Sequence, residues 1–400
     1  MRKKSTQIEQ SISDNTERTS RVKSWSLDQG TVFPRLLLDW FDREARILPW
    51  RQVRDPYRVL LSELMLQQTQ VTTVIPYYQR FLEHWPTIAA LAQADEQDVL
   101  KAWEGLGYYS RARNLLAAAH QVVTEYGGNV PTDEKSLLSL KGVGEYTAGA
   151  IRSIAYNLPA AAVDGNVVRV AARLAMIDWD PSELPQRREV RALIETIQPA
   201  SRPGDFNEAL MDLGATICLP KSPRCVECPV QIVCAAYAAS ATQDFPRKKT
   251  RTASPVDELT CLIIQKGSRI HVNQRPGKGL LAGLYEFDWG ELSALGIELE
   301  LGGDGAEDNT DVDYNNNNNG DVDAKTGDQP IVRELGLRRH VFTHRIWQMT
   351  ARQVILPVDQ KTPLLDQIGR WVDGPELAAL PFPTALAPWR DQMVGELLIE

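Results

Sequence analysis

Two regions of different class are predicted: a mainly α-helical region up to about residue 240, and an α+β domain from residue 258 to the C-terminus. Three observations predict this. Apolar residues before residue 240 recur three and four apart, the stripe of amphipathic helices. A basic, proline-containing stretch at 241–257 (Phe245, Pro246, Arg247, Lys248, Lys249, Arg251, Pro255) then breaks the pattern and reads as a linker. After it, β-prone runs joined by a glycine-containing turn take over. A length of 400 residues suits two or three domains.

Each element has its own justification in chain order. Residues 1–30 are polar and Ser/Thr-rich, the composition of a disordered tail. They lack the apolar run of a signal peptide, so an intracellular, cytoplasmic protein is expected. No window holds the ~20 consecutive apolar residues of a membrane helix, so no membrane partner is expected. The helical region covers 31–240. Within it, Val71, Val74, Ile75, Tyr78, Phe81, Leu82 and Trp85 lie along one helical stripe. Similar patterns run over Asp98–Trp103, Arg111–Tyr126, Lys135–Leu140, Tyr146–Tyr156 and Val167–Met176. In the domain at 258–400, Leu259–Ile264 and Ile270–Asn273 read as strands joined through Lys266-Gly267-Ser268. Val341–Thr343 and Trp347–Ile355 are also strand-like, and residues 375–400 offer helices around Pro383. Gly302–Gln329, with five consecutive asparagines, reads as a solvated low-complexity insert.

The net charge of −8 does not exclude a polyanionic partner. Residues 1–250 carry 30 Lys/Arg and 29 Asp/Glu, a balance of +1. Residues 251–400 carry 14 and 23, and residues 302–329 alone account for eight acids against one Lys.

Four of the five cysteines, Cys218, Cys225, Cys228 and Cys234, follow a C-x6-C-x2-C-x5-C spacing. Four thiols within seventeen residues can wrap one metal centre, and all-thiolate ligation suits zinc or an iron–sulfur cluster. Cys261 falls in a strand and is expected to be a small buried residue. Leu140-Lys141-Gly142-Val143-Gly144-Glu145-Tyr146 lies between helical segments. Its Gly142 and Gly144 allow close backbone approach to a phosphate, or simply a helix–helix turn. Asp164, in Val163-Asp164-Gly165-Asn166, can cap a helix or serve a site. Glu63 sits in the apolar and amide-rich LSELMLQQTQV. A carboxyl in an apolar pocket holds a proton, whereas one at a polar helix N-terminus stays ionised. Glu63 as acid and Asp164 as carboxylate make the pair that cleaves a glycosidic bond.

The cysteine spacing is similar to that of the endonuclease III class, where it holds a 4Fe–4S cluster. Together with SELMLQQTQV, GLGYYSRARNL, GVGEYTAGAI, VDGNVVRV and FTHR, the chain closely resembles the helix–hairpin–helix glycosylases of the MutY type. The resemblance implies a helix–hairpin–helix glycosylase domain with an iron–sulfur loop at 218–234, followed by a MutT/Nudix-like domain. It implies double-stranded DNA as partner, removal of adenine opposite 8-oxoguanine or guanine, a 4Fe–4S cofactor, and a monomeric, nucleoid-associated bacterial enzyme. Glu63 would protonate adenine, Asp164 would stabilise the sugar cation, and Tyr146 and Asn166 would orient that site. Arg51 and Glu208 match positions near the flipped adenine. Gln68 and Tyr108 match residues wedged into the duplex, with Tyr109 left to the core. Phe342-Thr343-His344 matches a Phe-Ser-His loop that reads 8-oxoguanine, with Thr343 in place of Ser. Bifunctional relatives carry Lys where Tyr146 stands, and a phenol cannot form the imine that precedes strand cleavage, so a monofunctional enzyme is expected. The Nudix-like part lacks the R-E-x2-E-E helix of active phosphohydrolases.

Overall fold

A computed structural model describes residues 27–177, 184–247, 253–297 and 329–399. Most of the expected tail, linker residues 248–252 and nearly all of the acidic insert lie outside the described residues.

The helices run in chain order: α1 (Leu27–Glu44), α2 (Pro56–Leu66), α3 (Val71–His84), α4 (Ile88–Leu91), α5 (Glu96–Ala102), α6 (Ser110–Tyr126), α7 (Glu134–Ser139), α8 (Glu145–Ala150), α9 (Gly165–Leu174), α10 (Leu184–Ile197), α11 (Pro203–Thr216) and α12 (Ala235–Ala238). Helix α1 begins at Leu27, so Leu27–Gly30, read from sequence as tail, form its first turn. These four residues are polar on average but continue the register that places Phe33 and Leu37 in the core. Among the described residues no helix is long and apolar enough to cross a membrane.

Contacts divide the chain into two units that do not follow chain order. The first comprises residues 1–96 and 111–251. Its core joins Phe33 and Leu37 of α1, Val167 and Val170 of α9, Val190 and Ile194 of α10, and Phe206 and Leu210 of α11. The supposed linker starts as part of this unit. Phe245 is buried, and its carbonyl accepts from Arg173 Nε at 3.0 Å.

The second unit comprises residues 97–110 and 252–400. Its sheet contains β1 (Val256–Lys266), β2 (Arg269–Gln274), β3 (Tyr285–Glu286), β4 (Asp288–Trp289), β5 (Ile331–Val341), β6 (Ile346–Leu356) and β7 (Arg370–Val372). The order is β3-β2-β1-β6-β5, with β4 also on β1 and β7 on β2; β1 and β6 run parallel over their full length. Helices α13 (Pro363–Ile368), α14 (Gly374–Ala379) and α15 (Ala387–Ile399) complete it. Cys261 and Ile263 face one apolar cluster and Leu262 and Ile264 the other, so this stretch of β1 is buried on both faces and shows no alternation. Strand β5 ends at Val341, so Phe342 and Thr343 belong to a turn rather than to the strand expected there. The Phe342 amide donates to the Arg345 carbonyl at 2.9 Å, closing that turn.

Candidate active site

Helix α2 starts at Pro56, capped by Asp55, which accepts from the Arg58 amide at 3.0 Å. It carries Leu60, Leu61 and Leu64 into the core and Glu63 to the wall of a cavity of about 500 Å³. Glu63, Tyr146, Asp164, Asn166, Arg51, Glu208 and Gln68, seven of the residues singled out in the sequence, line this one cavity.

The two carboxyls have different surroundings. Glu63 is 5% exposed. The Tyr146 hydroxyl donates to its Oε2. Burial raises the Glu63 pKa, the Tyr146 hydrogen bond opposes this, and the charges of Asp164 and Glu208 add to it; the carboxyl is pushed up to about 7. Burial likewise holds the Tyr146 hydroxyl protonated. Asp164 caps α9, accepting from the Val167 amide at 2.7 Å and from Asn166 Nδ2 at 2.8 Å. The setting differs from the polar one expected. Burial raises the Asp164 pKa too, against its backbone and side-chain donors and Arg169. What distinguishes the pair is the number of donors at the helix N-terminus, not polarity.

Asn166 is itself held. Its Oδ1 accepts from Arg169 at 2.8 Å, and Arg169 also donates to the carbonyls of Gly214 and Cys218, each at 2.8 Å. A Cβ at Gly214 would stand 2.5 Å from Asn166 Cβ, so only glycine lets α11 approach α9 this closely. The hairpin glycines stand outside the cavity lining. Gly142 adopts φ +78°, and a Cβ there would meet Asn114 Cβ at 2.7 Å. Gly144 caps α8 and faces open space.

Opposite Glu63, Arg51 donates through Nε to Glu208 Oε1 at 2.9 Å and through its terminal nitrogens to Asp212 at 2.8 and 2.9 Å. Asp212 and Arg46 were missed by sequence reasoning. Asp212 follows Glu208 by four positions on α11, one turn along the same face, and that spacing was the available signal.

Gln68 and Tyr108, the two expected wedges, both adopt left-handed backbone, φ +58° and +48°. Such backbone is costly for non-glycine residues and concentrates at functional sites. Tyr108 is 44% exposed, and Tyr109 is buried. Within the second unit, the hydroxyls of Tyr108 and Thr343 are hydrogen-bonded at 2.6 Å. Phe342 packs edge-on against Trp347 at 4.8 Å between ring centroids, and His344 is exposed.

The four cysteines form a separate loop after α11. Cys218, Cys228 and Cys234 lie half-buried against the helical core. Arg173 donates to Cys218 Sγ at 3.3 Å, and Cys234 Sγ to the Arg173 carbonyl at 3.7 Å. Burial, reinforced by the other three sulfurs, pushes the Cys228 thiol up to about 12. Among the described residues, no three His, Cys, Asp or Glu side chains converge closely enough to bind a metal ion. The donor chemistry nevertheless fits a thiolate-ligated centre: four soft sulfurs in one loop that only a cationic centre would hold together as thiolates.

Residues 61–198 match the HhH-GPD superfamily of base excision DNA repair proteins, and residues 259–391 match the NUDIX domain. The chain is 42% identical over 310 residues to "Adenine DNA glycosylase" of Rattus norvegicus, covering 64% of this chain and 60% of that protein. It is 35% identical over 257 residues to "Adenine DNA glycosylase" of Buchnera aphidicola subsp. Schizaphis graminum, covering 64% of this chain and 74% of that protein. It therefore spans about 60% of the length of the rat relative. The solved "Structure of a thermostable thymine-DNA glycosylase" aligns with a TM-score of 0.49 at 31% identity, over 53% of this chain and 98% of that one. With a relative covered over 74% of its own length at 35% identity, and each part of the chain matched by its own domain family, this chain belongs to the MutY-type adenine DNA glycosylases.

Proposed function

We propose that the protein removes adenine mispaired with 8-oxoguanine or guanine from duplex DNA, by flipping the adenine into the cavity and hydrolysing its N-glycosidic bond. The observation that carries this reading is a carboxyl with a pKa of about 7, held by a phenol and facing a second, helix-capped carboxyl across one cavity. A general acid near neutrality can protonate the leaving base. Asp164, held by the Val167 amide and Asn166, would as a carboxylate supply the counter-charge that an oxocarbenium-like sugar needs. Tyr146 holds Glu63 Oε2 in place and offers no amine, so water adds to the sugar, its proton returning to the Glu63 carboxylate that gave one to adenine, and the strand stays intact. Gln68 and Tyr108, each exposed on left-handed backbone, would each act as a wedge into the duplex. Thr343, in contact with Tyr108, reads the opposite 8-oxoguanine together with Phe342 and His344. Cys218, Cys225, Cys228 and Cys234 would hold a 4Fe–4S cluster, which when bound would brace the loop that also receives Arg169 and Arg173.

Single-turnover cleavage of a labelled duplex tests this, with adenine placed opposite 8-oxoguanine, guanine or thymine. Breaks are expected at adenine opposite 8-oxoguanine and guanine, and only after hot alkali. Asp164→Asn should lower the rate at least about a hundredfold while the duplex stays bound. Breaks without alkali would reveal a lyase nucleophile other than Tyr146, and absence of breaks from cluster-loaded protein would overturn the adenine assignment.

A further inference from the structure

We infer that Asp212 is a positioning residue of this site, setting the charge of the cavity wall opposite Glu63 and thereby the proton affinity of the general acid. This rests on the function proposed above. Asp212 is fully buried and stands outside the cavity lining, so it touches no substrate. It receives the Arg46 backbone amide at 3.1 Å, Arg46 Nε at 2.7 Å, and both terminal nitrogens of Arg51 at 2.8 and 2.9 Å. That leaves Arg51 a single nitrogen, Nε, for Glu208. The second Glu208 oxygen meets Arg54 at 3.3 Å. Arg46, Arg51 and Glu208 line the cavity, with Asp212 behind them as the second carboxylate.

Three guanidiniums (Arg46, Arg51 and Arg54) therefore face three carboxylates (Glu208, Asp212 and Asp205) on this wall, and the local sum is zero. Two members of this wall, Glu208 and Arg51, act directly on Glu63, and Asp212 reaches it through its hold on Arg51. The groups that act on it are Tyr146 from α8, Asp164 at the start of α9, Glu208 from α11 and Arg51 from the Pro49–Arg51 turn. Neutralising Asp212 leaves the wall at +1, which favours ionised Glu63. Neutralising Arg46 leaves it at −1, which favours the protonated acid. A residue that merely held the fold would not give shifts of opposite sign.

The experiment is the pH profile of single-turnover adenine excision for wild type, Asp212→Asn, Arg46→Gln and the double variant. Glu63 must be protonated to act, so the rate falls as pH rises through its pKa. Asp212→Asn should move this alkaline limb about one pH unit lower, a loss of about tenfold at pH 8. Arg46→Gln should move it higher, and the double variant should return towards wild type. The same titration is read without substrate, as the difference in melting temperature between each protein and its Glu63→Gln counterpart from pH 5 to 9. Shifts in the melting data with no adenine excised by wild type would sink the proposed function and leave the inference standing. Profiles that only scale in amplitude, or that shift in the same direction for both single variants, would overturn the inference.

Discussion

At the scale of the residue, the Glu63 carboxyl is the group whose cost and use are most closely joined. Its pKa is raised from an ordinary carboxylate value to about 7 by burial first, with Asp164 and Glu208 adding to it. The folded protein therefore binds a proton that the unfolded chain has released over the window from about 4.5 to 7. The associated stability is fully present below the unfolded pKa and is lost as pH rises through the folded one. Above pH 7 the loss is about 3 kcal/mol. Glu63→Gln should then melt higher than wild type at pH 8, with the gap closing towards pH 5, as calorimetry across that range would show. A gap independent of pH would mean that Glu63 does not titrate in this window. Glu63, Tyr146, Asp164 and Asn166 were legible in the sequence because each sits in a short motif with its own chemistry. Asp212 was not, because its role comes from Arg46, 166 residues away, and only folding brings the two together.

Among the elements, the end of α2 shows how the site's loop is shaped. The last turn leaves carbonyls without helical partners. Arg111, buried at the start of α6, donates to the carbonyls of Leu64 at 2.9 Å, Met65 at 2.7 Å and Gln67 at 2.5 Å, and to Thr69 Oγ1 at 3.1 Å. One planar guanidinium thus closes the helix and both sides of the turn in which Gln68 takes its left-handed backbone. Nη1 alone reaches all three carbonyls and Nη2 reaches the Thr69 hydroxyl, so losing the guanidinium orphans the end of the helix. Arg111→Met should cost roughly 2–4 kcal/mol in urea unfolding, since buried carbonyls are left unsatisfied. On the proposed function it should also weaken flipping, read as a smaller fluorescence rise from 2-aminopurine placed opposite 8-oxoguanine. Unchanged stability and fluorescence together would remove Arg111 from the support of Gln68. Elements with one buried face, such as α3, were legible from periodicity. Strand β5 was recognised only at its end, because Ile331–Val341 is exposed on both faces and bulged between Glu334 and Gly336. Nothing in such a strand alternates.

For the molecule as a whole, the division into units has a consequence that chain order hides. Residues 97–110 stand in the helical half of the sequence but belong by contact to the second unit. The Tyr109 hydroxyl donates to the Phe382 carbonyl at 3.1 Å, Lys101 Nζ to the Leu380 carbonyl at 3.1 Å, and Arg390 pairs with Glu104. None of these partners could be read from helical periodicity, which sees one stripe and not what covers it. A chain cut after Arg251 therefore loses more than the NUDIX-family residues: it strips the segment carrying Tyr108 of these hydrogen bonds and of Thr343. Hydrogen exchange on the truncated chain should show amides of 97–110 losing protection by at least about tenfold, while α2 and α9, which build the Glu63 cavity, keep theirs. On the proposed function, the truncated enzyme should still excise adenine but lose duplex wedging and discrimination of 8-oxoguanine from guanine together, because Tyr108 and Thr343 depend on the same unit. Full protection of 97–110 after truncation would mean that this segment is ordered by the helical unit alone, and the two losses should then separate.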